Sequence, residues 1–391
     1  MKAARRATSL VFFVAGALLA TWGPHVPTVQ ERLDLTPGVL GVVLLAPAVG
    51  GLAAMIVTAG LIQHFGSARV TRTAGVVASL LLPVPVLAPS LSVLAGGLLA
   101  FGACLGATDV AMNAQGVEVE RAYARPIMSS LHAQFSIGGL AGAGLATLLL
   151  SMHITASAHV VAVAAACAFA VAVAGGAMLA DGQATAAEES PRFARPRGLL
   201  LVLGIVGVLS MLGEGAMLDW AAVYLRSVLE VGPGMAAAGF AAFSATMTAG
   251  RLMGDRVVAR LGRVRVLRGG GLVAGTGLAL GLAFDSPAAA VAGFAAVGLG
   301  LANVVPLVFA AASRVPGVPP GHGLAAVSTV GYFGFLVGPP AIGAVSELTT
   351  LTLGLSLVVA FSLTISVLAG QAAPRGVAPA ESGNSLGVTT N

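Results

Sequence analysis

The sequence predicts an all-α membrane protein: twelve transmembrane helices in two six-helix bundles related by a pseudo-two-fold axis, with both termini on the cytoplasmic side. Three observations predict it. First, only 9% of the 391 residues are charged while 57% are hydrophobic, and mean hydropathy is +0.95. A soluble domain is about 25% charged, so lipid must be the solvent for most of this chain. That excludes a cytosolic enzyme, a nucleic-acid binder and a secreted scaffold. Second, the chain divides into twelve apolar runs of spanning length. Third, its two halves repeat each other.

A helix needs about 20 residues to cross about 30 Å of hydrocarbon. The runs that qualify are 8–30, 38–62, 70–89, 91–117, 126–150, 157–180, 198–225, 235–259, 264–284, 287–312, 322–346 and 350–371. The first follows Lys2, Arg5 and Arg6 and imitates a secretory signal peptide, but eleven further runs make it a retained first span. Short turns marked by Gly, Pro or charge separate most runs, as in Asp34-Leu35-Thr36-Pro37-Gly38. The fifth carries Gly138, Gly139, Gly142 and Gly144, a small-residue spacing that the eleventh repeats with Gly334, Gly338 and Gly343. Such spacing permits close packing and sliding, which makes Gly142 and Gly338 candidate gating positions. Pro339-Pro340 is expected to break or kink the eleventh helix. The polar segment 181–197 reads as a cytoplasmic linker between bundles 1–180 and 198–372, and 373–391 as a disordered tail.

Basic residues fix the expected orientation. With the N-terminus inside, eighteen of the twenty Lys and Arg fall in inner segments, and only Arg32 and Arg226 fall outside, as the positive-inside rule requires. Cys104 and Cys167 sit in apolar runs and read as small core residues. No histidines or cysteines have metal-ligand spacing.

The halves match at an offset of 194 to 198 residues: Trp22 with Trp220, Pro37-Gly38 with Pro233-Gly234, Gly66 and Arg69-Val70 with Gly262 and Arg265-Val266, Asp109 with Asn303, and Gly138 and Gly142 with Gly334 and Gly338. A six-helix unit duplicated in parallel implies a cavity between the halves near the membrane midplane.

This plan, with Gly250-Arg251-Leu252-Met253-Gly254-Asp255-Arg256 followed by Gly262-Arg263, resembles the major facilitator superfamily and its loop motif after the eighth helix. The first copy, Gly60 to Ser67, lacks the acid. The resemblance implies a gating role for Asp255 and Arg256, stronger in the second half; the same arginines also hold the loop inside. Asp109-Val110-Ala111-Met112-Asn113 and Leu131-His132-Ala133-Gln134-Phe135-Ser136-Ile137-Gly138 resemble the fucose–proton symporter branch. Glu214, Asp219-Trp220 and Tyr224-Leu225 resemble an uncharacterised bacterial subgroup within it. The branch likeness implies proton coupling and sugar binding at Asp109. The superfamily also implies a monomer.

An ionised carboxylate at the bilayer centre costs about 3 kcal/mol by insertion scales, so a buried acid needs a wet cavity, a partner or a proton. Asp109, Glu214 and Asp219 are the acids placed mid-span, and each is a candidate proton site. Asn113 shares a helix face with Asp109. His132, Gln134 and Ser136, roughly 10–15 Å along the fifth helix, are placed at similar depth. Trp22, Trp220 and Asn303 join Asn113, His132 and Gln134 as candidate substrate ligands; the tryptophans equally suit an interfacial aromatic belt. His25 lies near the outer end of the first span, and His64, His153, His159 and His322 read as loop residues. With no Lys or Arg mid-span, the expected solute is neutral or cationic. Three functions fit: proton-coupled import of a sugar or polyol, proton-coupled efflux of cationic or lipophilic compounds, and a membrane receptor or scaffold without turnover. None requires a cofactor beyond the proton gradient.

Overall fold

The computed structural model describes residues 1–123, 127–179, 197–318 and 320–372. The expected linker (apart from Arg197) and the tail lie outside these residues. Helix one covers Lys2–Leu33, helix two Pro37–Phe65, helix three Ser67–Leu87, helix four Leu91–Tyr123, helix five Met128–Ser151 and helix six Ala156–Gly175. Helices seven to twelve cover Leu199–Ser227, Pro233–Leu261, Arg263–Ala283, Pro287–Ala312, Pro320–Leu348 and Leu351–Leu368. Each expected run is found. The ends differ most in helix one, which begins at Lys2, and helix four, which continues to Tyr123.

Prolines account for the interruptions. Helix one passes through a 3-10 turn at Gly23–His25 beside Pro24 and Pro27. Helix ten breaks between Leu301 and Val304 because Pro306 cannot donate to the Ala302 carbonyl. Helix eleven is the exception. Of the expected break or kink, the break does not occur: it stays helical through Pro339 and Pro340. There Gly41 of helix two lets the Pro339 carbonyl approach closely; a Cβ on Gly41 would lie 2.6 Å from that oxygen, so the neighbouring helix supports the weakened turn. Threonine caps start helices two, six and twelve: Thr36, Thr155 and Thr350 each accept from a backbone N–H three residues on.

Among the described residues, eleven helices are long and apolar enough to cross a membrane by length and composition. The one that falls short is helix eight. It spans 29 residues but carries Arg251, Asp255, Arg256 and Arg260 along with several Gly, Ser and Thr. Its partners are other helices, chiefly five and ten.

The duplication is visible in the backbone and in the packing. Gly66 (φ 85°, ψ 152°) and Gly262 (φ 80°, ψ 156°) adopt the same left-sided conformation, which needs glycine. Asp34 and Glu230 end helices one and seven at φ 49° and 51°. Helix one packs on five, two on four, three on four and six; seven packs on eleven, eight on ten, nine on ten and twelve. A Cβ on Gly138 would collide with the Phe13 carbonyl, and one on Gly334 with the Val208 carbonyl. Gly142 likewise rests on helix one at Ala17, and Gly338 on helix seven at Leu212. These glycines therefore join helices within a half, Gly142 and Gly338 included, with the close packing their spacing predicts.

The halves meet at the end opposite the arginine-rich loops. Arg226 Nε donates to Glu31 Oε1 at 2.6 Å, and the Gly38 amide to Glu347 Oε2 at 3.0 Å. Gly41 faces Gly343, Gly234 faces Ser151, and Gly23 faces Leu218. Helices five and eight stay together as far as Ser136, where Thr248 and Arg251 reach helix five. Among the described residues, no hydrogen bond or ion pair joins the helices of the two halves nearer the arginine-rich end than this.

Gly138→Val is expected to cost about 1–3 kcal/mol through overpacking, read as a lower melting temperature in detergent. Gly144→Val, where a Cβ meets nothing within 4 Å, is expected to leave the melting temperature unchanged. Equal melting temperatures for both variants would contradict this packing.

Candidate functional site

Helix four places Asp109 deep in the molecule, fourteen residues or about 21 Å from Tyr123. Its carboxylate Oδ1 accepts from Asn113 Nδ2 at 3.2 Å, and the same amide group reaches the Asp109 carbonyl at 2.8 Å. The i, i+4 pairing forms as expected. Across the gap between the halves, Tyr332 of helix eleven lies within electrostatic reach of Asp109. The acid is partly buried, and one of its oxygens lacks a hydrogen bond among the described residues.

The second polar centre differs from the sequence expectation, in which Arg251 belongs to a loop motif and no cation lies mid-span. Helix eight continues to Leu261, which puts Arg251 ten residues, about 15 Å, inside it. All three guanidinium nitrogens are engaged. Nη2 meets Glu214 Oε2 of helix seven at 3.2 Å, Nη1 meets Ser136 Oγ of helix five at 3.5 Å, and Nε meets the Ala302 carbonyl of helix ten at 3.4 Å. That carbonyl is the one Pro306 leaves without a helical donor. The pair is only partly exposed, 33% for Arg251 and 18% for Glu214, so it is weakly screened. Through Ser136 it is also one of the polar ties that cross from one half to the other. His132 lies within electrostatic reach of Arg251, and its ring meets Phe12 edge-on at 5.3 Å.

The remaining candidates do not gather in one place. Gln134 is two residues from both His132 and Ser136, about 200° round the helix, and lines a separate cavity with Lys2, Arg5 and Arg6. Trp22 and Trp220 are 3% and 0% exposed, with buried indole N–H groups lacking a partner; in this conformation they are core, neither lining a cavity nor forming an interfacial belt. Asn303 donates to the Gly250 carbonyl at 3.2 Å and braces the break in helix ten. Asp219 is buried without a hydrogen bond or ion pair among the described residues. Arg226, further along the same helix, is bound to Glu31 and to the Val231 carbonyl. Asp255 and Arg256 are exposed, and among the described residues neither has an ion-pair partner within 4.0 Å. His159, expected in a loop, is buried in helix six, its Nδ1 3.0 Å from His25 Nε2.

Two duplicated helical bundles joined at one end, with partly buried carboxylates on helices four and seven, are the layout of a membrane transporter. The chain belongs to the Major Facilitator Superfamily, whose profile matches residues 8–339. It is 38% identical over 363 residues to an uncharacterised transporter of this superfamily from Yersinia pestis, spanning 93% of this chain and 94% of that one. Its fold is similar to that of the nucleoside transporter NupG, with a TM-score of 0.74 at 12% identity, covering 95% of this chain and 98% of the other. It is equally similar to a D-xylose–proton symporter, with a TM-score of 0.73 at 14% identity over 95% and 98% of the two chains. The protein is thus a multi-pass membrane transporter and not an enzyme.

Removing one partner of the Glu214–Arg251 pair leaves an uncompensated charge in a poorly hydrated place. Glu214→Gln and Arg251→Gln are each expected to lower stability, and the double variant to regain part of the loss, with a coupling of about 1–3 kcal/mol. Melting temperatures of the four proteins in detergent check this. Strictly additive losses would show that the two groups do not interact.

Proposed function

We propose that the protein is a proton-coupled symporter that carries a neutral, hydroxyl-rich solute such as a sugar or polyol by alternating access. The observation that carries this reading is Asp109, a partly buried acid within electrostatic reach of Tyr332 in the other half and with one amide as its hydrogen-bond partner among the described residues. Protonation removes the cost of holding that charge where water is scarce, and ionisation is favoured when the gap is wet. The acid's charge state is thereby coupled to which end of the gap is open. A hydroxylated solute finds donors and acceptors in Asn113, Tyr332, Ser136 and His132. Arg251 does not call for an anionic solute, because Glu214 already matches its charge.

The likeness of helices four and five to the fucose–proton symporters supports sugar binding, and the structurally similar D-xylose–proton symporter is named for the same kind of solute. The positive-inside pattern places the arginine-rich end in the cytoplasm, with both termini there and the closed end outside. The setting is then the bacterial plasma membrane, with the cavity open inward. One observation favours the second reading, efflux of cationic compounds: the gap holds two carboxylates, Asp109 and Glu214, against one guanidinium, Arg251.

A thermal-shift screen of sugars, polyols and cationic dyes identifies the ligand class. In proteoliposomes an inward proton gradient is expected to drive accumulation of the matching solute. Asp109→Asn is expected to abolish accumulation while sparing solute exchange. Unchanged accumulation in the variant would remove Asp109 from coupling. Stabilisation by dyes alone would favour efflux.

A further inference from the structure

A cavity of about 630 Å³ opens at the arginine-rich end, on the far side of helix five from the gap between the halves. Gln134, in its wall, belongs to the face of helix five that carries Ile137, Leu145 and Leu148, exposed by 38%, 41% and 56%. That face is turned round the helix from Ser136 and Ser151, which meet helix eight, and is the one a bilayer wets. The head of the cavity is basic: Lys2, Arg5 and Arg6 line it together. Among the described residues no acid contributes to the lining and none of these cations has an ion pair within 4.0 Å. Arg5 is oriented by Tyr123, the last residue of helix four. Its guanidinium carbon lies 5.2 Å from the ring centroid and its Nη1 3.5 Å from the phenol oxygen. Further along helix one, Leu10 and Phe13 make the wall apolar. From Lys2 to Phe13 the helix rises about 16 Å, enough for a phospholipid headgroup and the first part of its chains.

Three cations without an ion pair among the described residues, amide and phenol groups beside them, and an apolar foot open to the bilayer match one class of ligand. The geometry points to a site for an anionic phospholipid, its phosphate held by Lys2, Arg5 and Arg6 and its chains lying along Leu10, Phe13 and Ile137. Because the wall draws on helices one, four and five, an occupant fastens the first six-helix half together at this end. The site is separate from the transport gap, and the inference does not depend on which solute is carried.

The test uses the full chain purified in a neutral detergent and titrated with phosphatidylglycerol or phosphatidylcholine. Melting temperature and the count of bound lipid by native mass spectrometry are the readouts. Phosphatidylglycerol is expected to bind and stabilise, and phosphatidylcholine not. A basic residue near an anionic lipid surface is worth about fivefold in affinity. Arg6→Gln, which removes no hydrogen bond, is therefore expected to weaken phosphatidylglycerol binding about fivefold, and Lys2→Gln with Arg5→Gln and Arg6→Gln about a hundredfold. The single variant carries the test should the triple one fail to fold. Equal binding of the two lipids, or unchanged phosphatidylglycerol affinity in the variants, would overturn the proposal. An equal gain from inorganic phosphate at matched concentration would overturn the lipid assignment in favour of a soluble anion.

Discussion

A charge inside hydrocarbon must bring a counter-charge, a proton or water with it, and the interior of this protein is arranged around that constraint. Arg251 meets it with three partners on three other helices: Glu214, Ser136 and the Ala302 carbonyl. The last is available only because Pro306 interrupts helix ten. One guanidinium thus binds helix eight to seven and ten in its own half and to five in the other. Asp109 meets the constraint differently. Its single amide partner leaves it able to exchange a proton or a hydrogen-bonded solute. The two solutions divide the work, the first holding the halves in register and the second responding to the gap.

Duplication explains why the halves can close at an end. Each half packs its helices in the same pairwise order, and a two-fold relation brings helix two against eleven and five against eight. Where these pairs meet, Gly41 faces Gly343 and Gly234 faces Ser151, so backbones approach without large side chains interlocking. The ionic and polar contacts Glu31–Arg226 and Gly38–Glu347 sit at the rim of that end and are accessible to water, where such pairs are worth little each. Closure there is therefore held weakly enough to be reversed, as alternating access requires.

Much of the fold was legible because lipid imposes a simple code. Run length and turn residues located all twelve helices, and the matched positions Gly66 and Gly262 proved to share a backbone conformation. Side-chain direction was less legible. Gln134 and His132 look equivalent in a polar string, yet 200° of helical rotation sends one to the bilayer side and the other to the gap. The repeat placed Trp22 and Trp220 correctly as equivalents, but repetition does not tell core from cavity. Arg251 was hidden by its motif: counted with the loop arginines, it lost its meaning as an interior cation. Pro306 was a signal that could have found it, because a proline in a buried helix announces a carbonyl in need of a donor. The partnership of His25 and His159 joins residues 134 apart in sequence, and only tertiary structure reveals it.

The claim on which function rests is that the halves rock as rigid units, opening one end while the other shuts. Pulsed electron–electron resonance on spin labels tests it most directly. One pair goes at positions 34 and 349, across the closed end, and another at 64 and 260, across the arginine-rich end. As pH falls and solute is added, the first distance is predicted to lengthen and the second to shorten together; in Asp109→Asn both are predicted to respond to solute but not to pH. Distances that stay fixed under every condition in the unaltered protein, or that change independently of one another, would contradict the account.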